Sequence, residues 1–249
     1  MPKDSELVSV WRLSPHWRER DHAIDTITVH HTATVGVSAA QIGEVFQGSR
    51  IASSNYGIGV NGEIGLYVQE YRRAITSSSA ANDSRAITIE VANSAGAPDW
   101  PVSSASWASL ILLCTDICKR HNIPKLMWEA DKSLIGQVDR QNMTVHRWFA
   151  ATACPGDYLY SRMGDLAAAV NARLGVKEES EMGEKRYNTI AQLPEWAKLT
   201  IKKLCKLGVI EGKTAEKDAQ GYPVTLDLSM DMIRLLIIND RCGLYDREV

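Results

Sequence analysis

The chain reads as an α/β protein: a central mixed β-sheet flanked by helices, followed by a small helical C-terminal domain. Two observations predict the sheet and its helices. Short alternating or β-rich stretches at 26–30, 56–60, 66–69 and 86–91 have the pattern of strands. Between and after them, at 38–46, 107–121 and 159–170, apolar residues recur at helical spacing, and strands interleaved with helices build a sheet with helices packed against it. A third observation predicts the small domain, because beyond a charged stretch at 176–186 the apolar patterns are helical.

Thr26 to His30 alternates polar and apolar residues, as a half-buried strand does. Ser38-Ala39-Ala40-Gln41 is a capping-box start for a helix through Phe46. Tyr56–Val60 and Leu66–Gln69 flank Asn61-Gly62, a strong hairpin-turn signal. Ala86 to Val91 reads as a buried strand. Trp107, Leu110, Ile111, Cys114, Ile117 and Cys118 predict a helix that ends near His121, before Pro124. Leu159, Met163, Leu166 and Val170 predict one more helix, which closes the first domain at residue 175. Residues 176–186 read as a charged linker without apolar periodicity. Residues 187–249 hold two helical patterns, one with Ala197, Ile201, Leu204 and Cys205, the other with Met232, Ile233, Leu236 and Ile237.

At 249 residues the chain can bury a sizeable core and hold two domains. A net charge of −2 gives no pull toward nucleic acid or an anionic membrane surface. No apolar run approaches the roughly 20 residues that span a bilayer. The stretch Met1-Pro2-Lys3-Asp4-Ser5-Glu6 is polar and lacks the apolar core of a secretory signal. Five cysteines without repeated spacing argue against a disulfide framework, and a reducing cytoplasm is the expected place of folding.

The chemistry sits in two segments. Thr28-Val29-His30-His31-Thr32-Ala33 is followed far downstream by Thr144-Val145-His146 and Thr152-Ala153-Cys154-Pro155-Gly156. Two imidazoles and a thiolate suit zinc, and three protein ligands leave the fourth position open, as in catalytic rather than structural sites. On an extended strand His30 and His31 point to opposite faces, so one of them reaches a metal, and the residues alone leave that choice even. Cys154 sits in a Pro-Gly turn outside any apolar helical stripe, whereas Cys114, Cys118, Cys205 and Cys242 read as inert thiols. Glu90 is a carboxylate in an otherwise apolar strand, where burial without a partner is costly. It reads as a general base or, on the plainer view, as a solvent-facing strand residue. His16, His22 and His121 lie outside these motifs and are assigned no role.

In this order, His-His-Thr-Ala, Tyr56 in Ser54-Asn55-Tyr56-Gly57, Glu90 in Ile87-Thr88-Ile89-Glu90-Val91, then His146 and Cys154-Pro155-Gly156, the chain resembles the zinc-dependent N-acetylmuramoyl-L-alanine amidases. That family includes phage lysozyme-like amidases, cell-wall recycling amidases and animal peptidoglycan recognition proteins. The resemblance runs from about Ile24 to about Leu174. It implies a mixed sheet flanked by helices, a Zn2+ cofactor, and ligands at His30 (the first histidine of the pair), His146 and Cys154. Glu90 then aligns with the glutamate that handles the water proton, and Tyr56 with an active-site tyrosine. Thr152 stands where several members carry lysine and others threonine, so a catalytic hydrogen bond is expected from it but no charge. The resemblance also supplies the reaction, hydrolysis of the bond between the lactyl group of N-acetylmuramic acid and L-alanine of the stem peptide.

Residues 1–175 are thus expected to be a catalytic domain whose partner is peptidoglycan. A phage or prophage endolysin fits best, made in the cytoplasm without a signal and acting on the wall after release. The alternatives are a bacterial autolysin of the same activity, a non-catalytic peptidoglycan-binding protein, and a cell-wall cysteine peptidase with Cys154 as nucleophile. Trp196-Ala197, Ile201, Leu204 and Leu207-Gly208-Val209-Ile210 resemble one S-layer-homology repeat, which implies binding to a cell-wall polymer. A two-helix module has little core of its own, so docking or homo-oligomerisation is the competing use of this segment.

Overall fold

The computed structural model describes residues 3–176 and 186–245. The chain divides into two compact units, Met1–Lys177 and Glu178–Val249. Most of the linker expected at 176–186 falls on residues 177–185, which lie outside the described ones.

The first unit is built on a six-stranded mixed sheet in the order β1-β5-β4-β7-β3-β8. Its strands are β1 (Val10–Trp11), β3 (Thr26–Val35), β4 (Tyr56–Ile58), β5 (Ile64–Leu66), β7 (Ala86–Asn93) and β8 (Met143–Val145). All pairings are parallel except the β4–β5 hairpin. Two short strands, β2 (Arg18–Glu19) and β6 (Arg72–Arg73), pair separately. The longest strands are the neighbours β3 and β7, whose β-branched residues suit a pleated surface buried on both sides. Ile27, Val29, Ile87, Ile89 and Val91 are all fully buried, each such side chain stabilising the fold by roughly 1.5–3 kcal/mol.

Helix α1 (Ala39–Gln47) starts as expected, with the Ser38 side chain accepting from Gln41 N and the Gln41 side chain accepting from Ser38 N. The six-residue α2 (Ala80–Arg85) is polar and has no apolar signal to reveal it. Helix α3 (Ser104–Arg120) is capped by Ser103, carries Lys119 and Arg120 at its C-terminal end, and stops at His121 as its pattern predicts. The hairpin also forms, but its second strand is 64–66 rather than 66–69. Gly59 N donates to Glu63 O, so the turn closes early, with Gly62 at φ +86°. The single helix expected over 159–170 is two, α4 (Asp157–Ser161) and α5 (Met163–Leu174). Arg162 leaves helical geometry at φ −108°, ψ 8°, yet Leu159, Met163, Leu166 and Val170 all stay buried across the break.

In the second unit, α6 (Glu195–Lys206) and α7 (Met230–Arg241) pack around Ala197, Ile201, Leu204, Ile233 and Ile237. An antiparallel bridge ties Tyr187, ahead of α6, to Leu228, just before α7. Met232, expected on the apolar face, is 44% exposed.

Candidate metal centre

Sheet register brings the site together. His30 on β3 pairs with Glu90 on β7, and Val29 pairs with Val145 on β8, so His146 follows at the next level. Residues at one level of adjacent strands project from the same face, and Glu90, His30 and His146 therefore converge at the C-terminal ends of three parallel strands. Beneath them Thr28, Thr144 and Asn82 of α2 share buried hydrogen bonds of 2.8–3.0 Å that brace β3 against β8.

Cys154 completes the group from the loop after β8. Its Sγ lies 3.5 Å from His30 Nδ1 and accepts a hydrogen bond from His31 N at 3.4 Å. One potential ligand atom from each of His30, His146 and Cys154 lies within 4.8 Å of the others. The Pro-Gly turn beyond the cysteine needs its glycine: Gly156 has φ +82°, and a Cβ there would stand 2.8 Å from Trp100 Cβ. His31 faces away from His30, bonds Asn93 Oδ1 through Nδ1 at 3.1 Å and meets the Trp100 ring edge-on. It neighbours the group without belonging to it.

Burial governs the electrostatics. It holds the His30 imidazole well below its ordinary range, with His146 and His31 adding to the effect, and it lowers His146 as well. Burial pushes the Cys154 thiol up, helped by Glu90, and pushes Glu90 up to about 8, with Arg50 offsetting only part. Burial works against an ion pair between His30 Nδ1 and Glu90 Oε1, which approach to 3.9 Å, because it disfavours the charged form of each group.

A divalent cation fits these residues. Around a tetrahedral zinc, sulfur and nitrogen ligands stand about 3.5 Å apart, given bonds of about 2.3 and 2.05 Å, which is the observed Sγ to Nδ1 spacing. Glu90 Oε2 is buried without a hydrogen-bond partner, a costly state unless a ligand or substrate uses it.

The group opens onto a cleft of about 270 Å³. Its lining includes the polar Glu90, His146, Thr152 and Cys154 and the apolar Val37, Ile42, Val45 and Phe46. Thr152 Oγ1 accepts from Cys154 N at 3.2 Å, so its own O–H remains a donor toward the cleft. Tyr56 is not brought to this group, and the expectation of an active-site phenol there is corrected. It pairs with Ile89, one level away from Glu90, and so projects from the opposite face. Its hydroxyl donates to Glu70 Oε1 at 2.6 Å and accepts from Ser5 N. His121, which carries no sequence signal, also bonds Glu70, at 2.6 Å.

The family description of N-acetylmuramoyl-L-alanine amidases matches residues 20–157. The chain belongs to this amidase family. No curated sequence matches it significantly. Among solved structures it is similar to a mutant endolysin from Bacillus subtilis, at 16% identity over 65% of this chain and 97% of the other, with a TM-score of 0.49. It is also similar to the endolysin amidase LysCS from Clostridium intestinale, at 20% identity over 68% and 95% of the two chains, TM-score 0.44. A third likeness is to peptidoglycan recognition protein SD from Drosophila, at 15% identity over 66% and 86%, TM-score 0.40. At these values no residue role passes from one chain to another. His30, His146, Cys154, Glu90, Tyr56 and Thr152 all fall within the family match.

Proposed function

We propose that the first unit is a zinc-dependent hydrolase that cleaves the amide bond between N-acetylmuramic acid and L-alanine of the stem peptide. The observation that carries this reading is the convergence of His30, His146 and Cys154 beside a buried, unpartnered Glu90 in a chain of this family. His30, His146 and Cys154 would hold the ion. Bound there, zinc supplies Lewis acidity, polarising the scissile carbonyl and acidifying water.

The remaining chemistry belongs to the chain. Glu90 accepts a proton at its free Oε2 from the attacking water and returns it to the leaving amine. The Thr152 hydroxyl donates toward charge that develops on the carbonyl oxygen. Val37, Ile42, Val45 and Phe46 offer an apolar wall to the aliphatic parts of the substrate. A cysteine-peptidase role suits the site poorly. A nucleophilic cysteine needs a lowered pKa, and burial raises that of Cys154. A purely binding role leaves the full donor set and Glu90 without a use.

The second unit is proposed to hold the enzyme on a wall polymer, which suits an endolysin better than a recycling enzyme of soluble fragments, because tethering raises local substrate concentration. Pairing with a second copy is its competing use. Truncation at Lys177 then spares cleavage of soluble muropeptides and weakens action on intact walls, whereas loss of a dimer on truncation supports the other use.

Mass spectrometry of purified peptidoglycan after digestion tests the reaction. New free L-alanine amines beside intact lactyl carboxylates support it. Cleavage within the stem peptide or the glycan, or no cleavage, overturns it.

A further inference from the structure

We propose that Arg147 is a positioning residue of the metal centre, which ties the loop carrying Cys154 to the segment carrying His146 and so fixes the spacing of two ligands. The inference rests on the zinc-site reading above.

Arg147 directly follows His146, and its bonds run to the loop of the third ligand. Its backbone N–H donates to Cys154 O at 3.0 Å. In its side chain, Nη2 donates to Ala153 O at 2.5 Å and Nε to Cys154 O at 3.4 Å. Nη1 donates to Asp157 Oδ1 at 3.0 Å, and the guanidinium carbon lies 4.7 Å from the centre of the Tyr160 ring. Among the described residues, every hydrogen bond between His146–Trp148 and Thr152–Gly156 comes from Arg147. Among the described residues, the loop's other hydrogen bonds are local turns, such as Cys154 N to Thr152 Oγ1 and Gly156 N to Ala153 O, and contacts of Cys154 Sγ with His31 N and His30 Nδ1 on β3, which hold the sulfur but neither carbonyl that Arg147 grips.

The chemistry of this clamp is specific to a planar fork. A guanidinium presents several donors in fixed directions, whereas an ammonium is a single point charge on a flexible stem. Two adjacent carbonyls are therefore held at once by arginine and not by lysine. The pair with Asp157 matters less, because that carboxylate is 71% exposed and surface pairs are weak. Without the fork, the loop that presents Cys154 has to be ordered when metal binds, which lowers affinity rather than removing a ligand.

The test compares zinc affinity, by chelator competition, in the full chain and in Arg147→Ala, Arg147→Lys and Asp157→Asn. Removing an outer-shell partner of this kind costs about 10- to 100-fold in metal affinity. That loss is expected for both Arg147 variants, with Asp157→Asn near wild type. Cobalt substitution should also give an altered ligand-field spectrum in Arg147→Lys. The melting temperature of metal-free protein separates positioning from plain destabilisation, because it should change little. Wild-type zinc affinity in Arg147→Ala overturns the proposal, as does a loss that only tracks unfolding of the metal-free chain. If Arg147→Ala fails to fold, Arg147→Lys decides by the same criteria. A wild-type chain that binds no zinc overturns the site reading itself, and this proposal with it.

Discussion

Glu70 and Glu90 are both buried carboxylates of the first unit, and their surroundings drive them in opposite directions. Burial alone would raise Glu70, but hydrogen bonds from His121, Arg120 and Tyr56 overcome it and bring the group down to about 2. Both of its oxygens are occupied: Arg120 donates to each, at 2.6 and 2.7 Å, Tyr56 donates to Oε1, and His121 meets Oε2. Glu90 has no such partners. Burial raises it to about 8, and Oε2 is left without a bond. A satisfied carboxylate locks neighbouring elements together. An unsatisfied one, at the mouth of a cleft beside a converging set of soft and borderline donors, stays available to take a proton.

Substitutions can break this contrast, and the largest effect belongs to the donor set. Cys154→Ser should lose the metal and hydrolysis together while the metal-free fold persists, because the sheet has its own apolar core. Metal analysis alongside turnover checks this, and full zinc with full activity would remove Cys154 from the ligand set. Next comes Glu90→Gln, which keeps the shape but removes the proton acceptor. Turnover should fall by about 10²-fold or more with zinc content unchanged. Near-normal turnover would make Glu90 a strand residue with no catalytic part.

Glu70→Gln should act on stability instead. A shift from 4.5 to about 2, at about 1.36 kcal/mol per unit, makes the ionised form worth roughly 3 kcal/mol. The folded-state pKa is the depressed one, so this stability is fully present above pH 4.5 and is lost as pH falls toward 2. Denaturant unfolding from pH 6 to 2.5 should show the wild type losing stability in that window. The variant should be weaker at pH 6 and flatter below it, and parallel pH curves would contradict the assignment. The last substitution is Tyr56→Phe, which deletes the hydrogen bond to the charged Glu70, worth about 1.5–3 kcal/mol, and the one accepted from Ser5 N. Its turnover should stay near wild type, and a large loss of turnover with stability intact would return the phenol to the active site.

Local patterns are legible in the amino-acid sequence. The Ser38 capping box, the strand at 26–30 and the stop of α3 at His121 each depend on neighbours a few residues away. The donor types are legible from residue type and order, but the choice between His30 and His31 is not, because it turns on which of the two shares a face with Glu90 and His146. The placement of Tyr56 is not, because it turns on inter-strand register: pairing with Ile89 rather than Glu90 moves the side chain to the other face. Glu70, Arg120 and His121 meet across about 50 positions of sequence, and nothing local announces that contact. The polar α2 and the break at Arg162 are hidden for a related reason, since the first carries no apolar stripe and the second leaves the apolar spacing undisturbed.

The central claim is that His30, His146 and Cys154 hold one zinc ion. Metal stoichiometry of the purified full chain, measured beside His30→Ala, His146→Ala and Cys154→Ser, tests it most directly. The account predicts one tightly bound zinc per wild-type chain and loss of that zinc in each variant. A wild-type chain that hydrolyses peptidoglycan with no bound metal, or variants that keep their zinc, would contradict it.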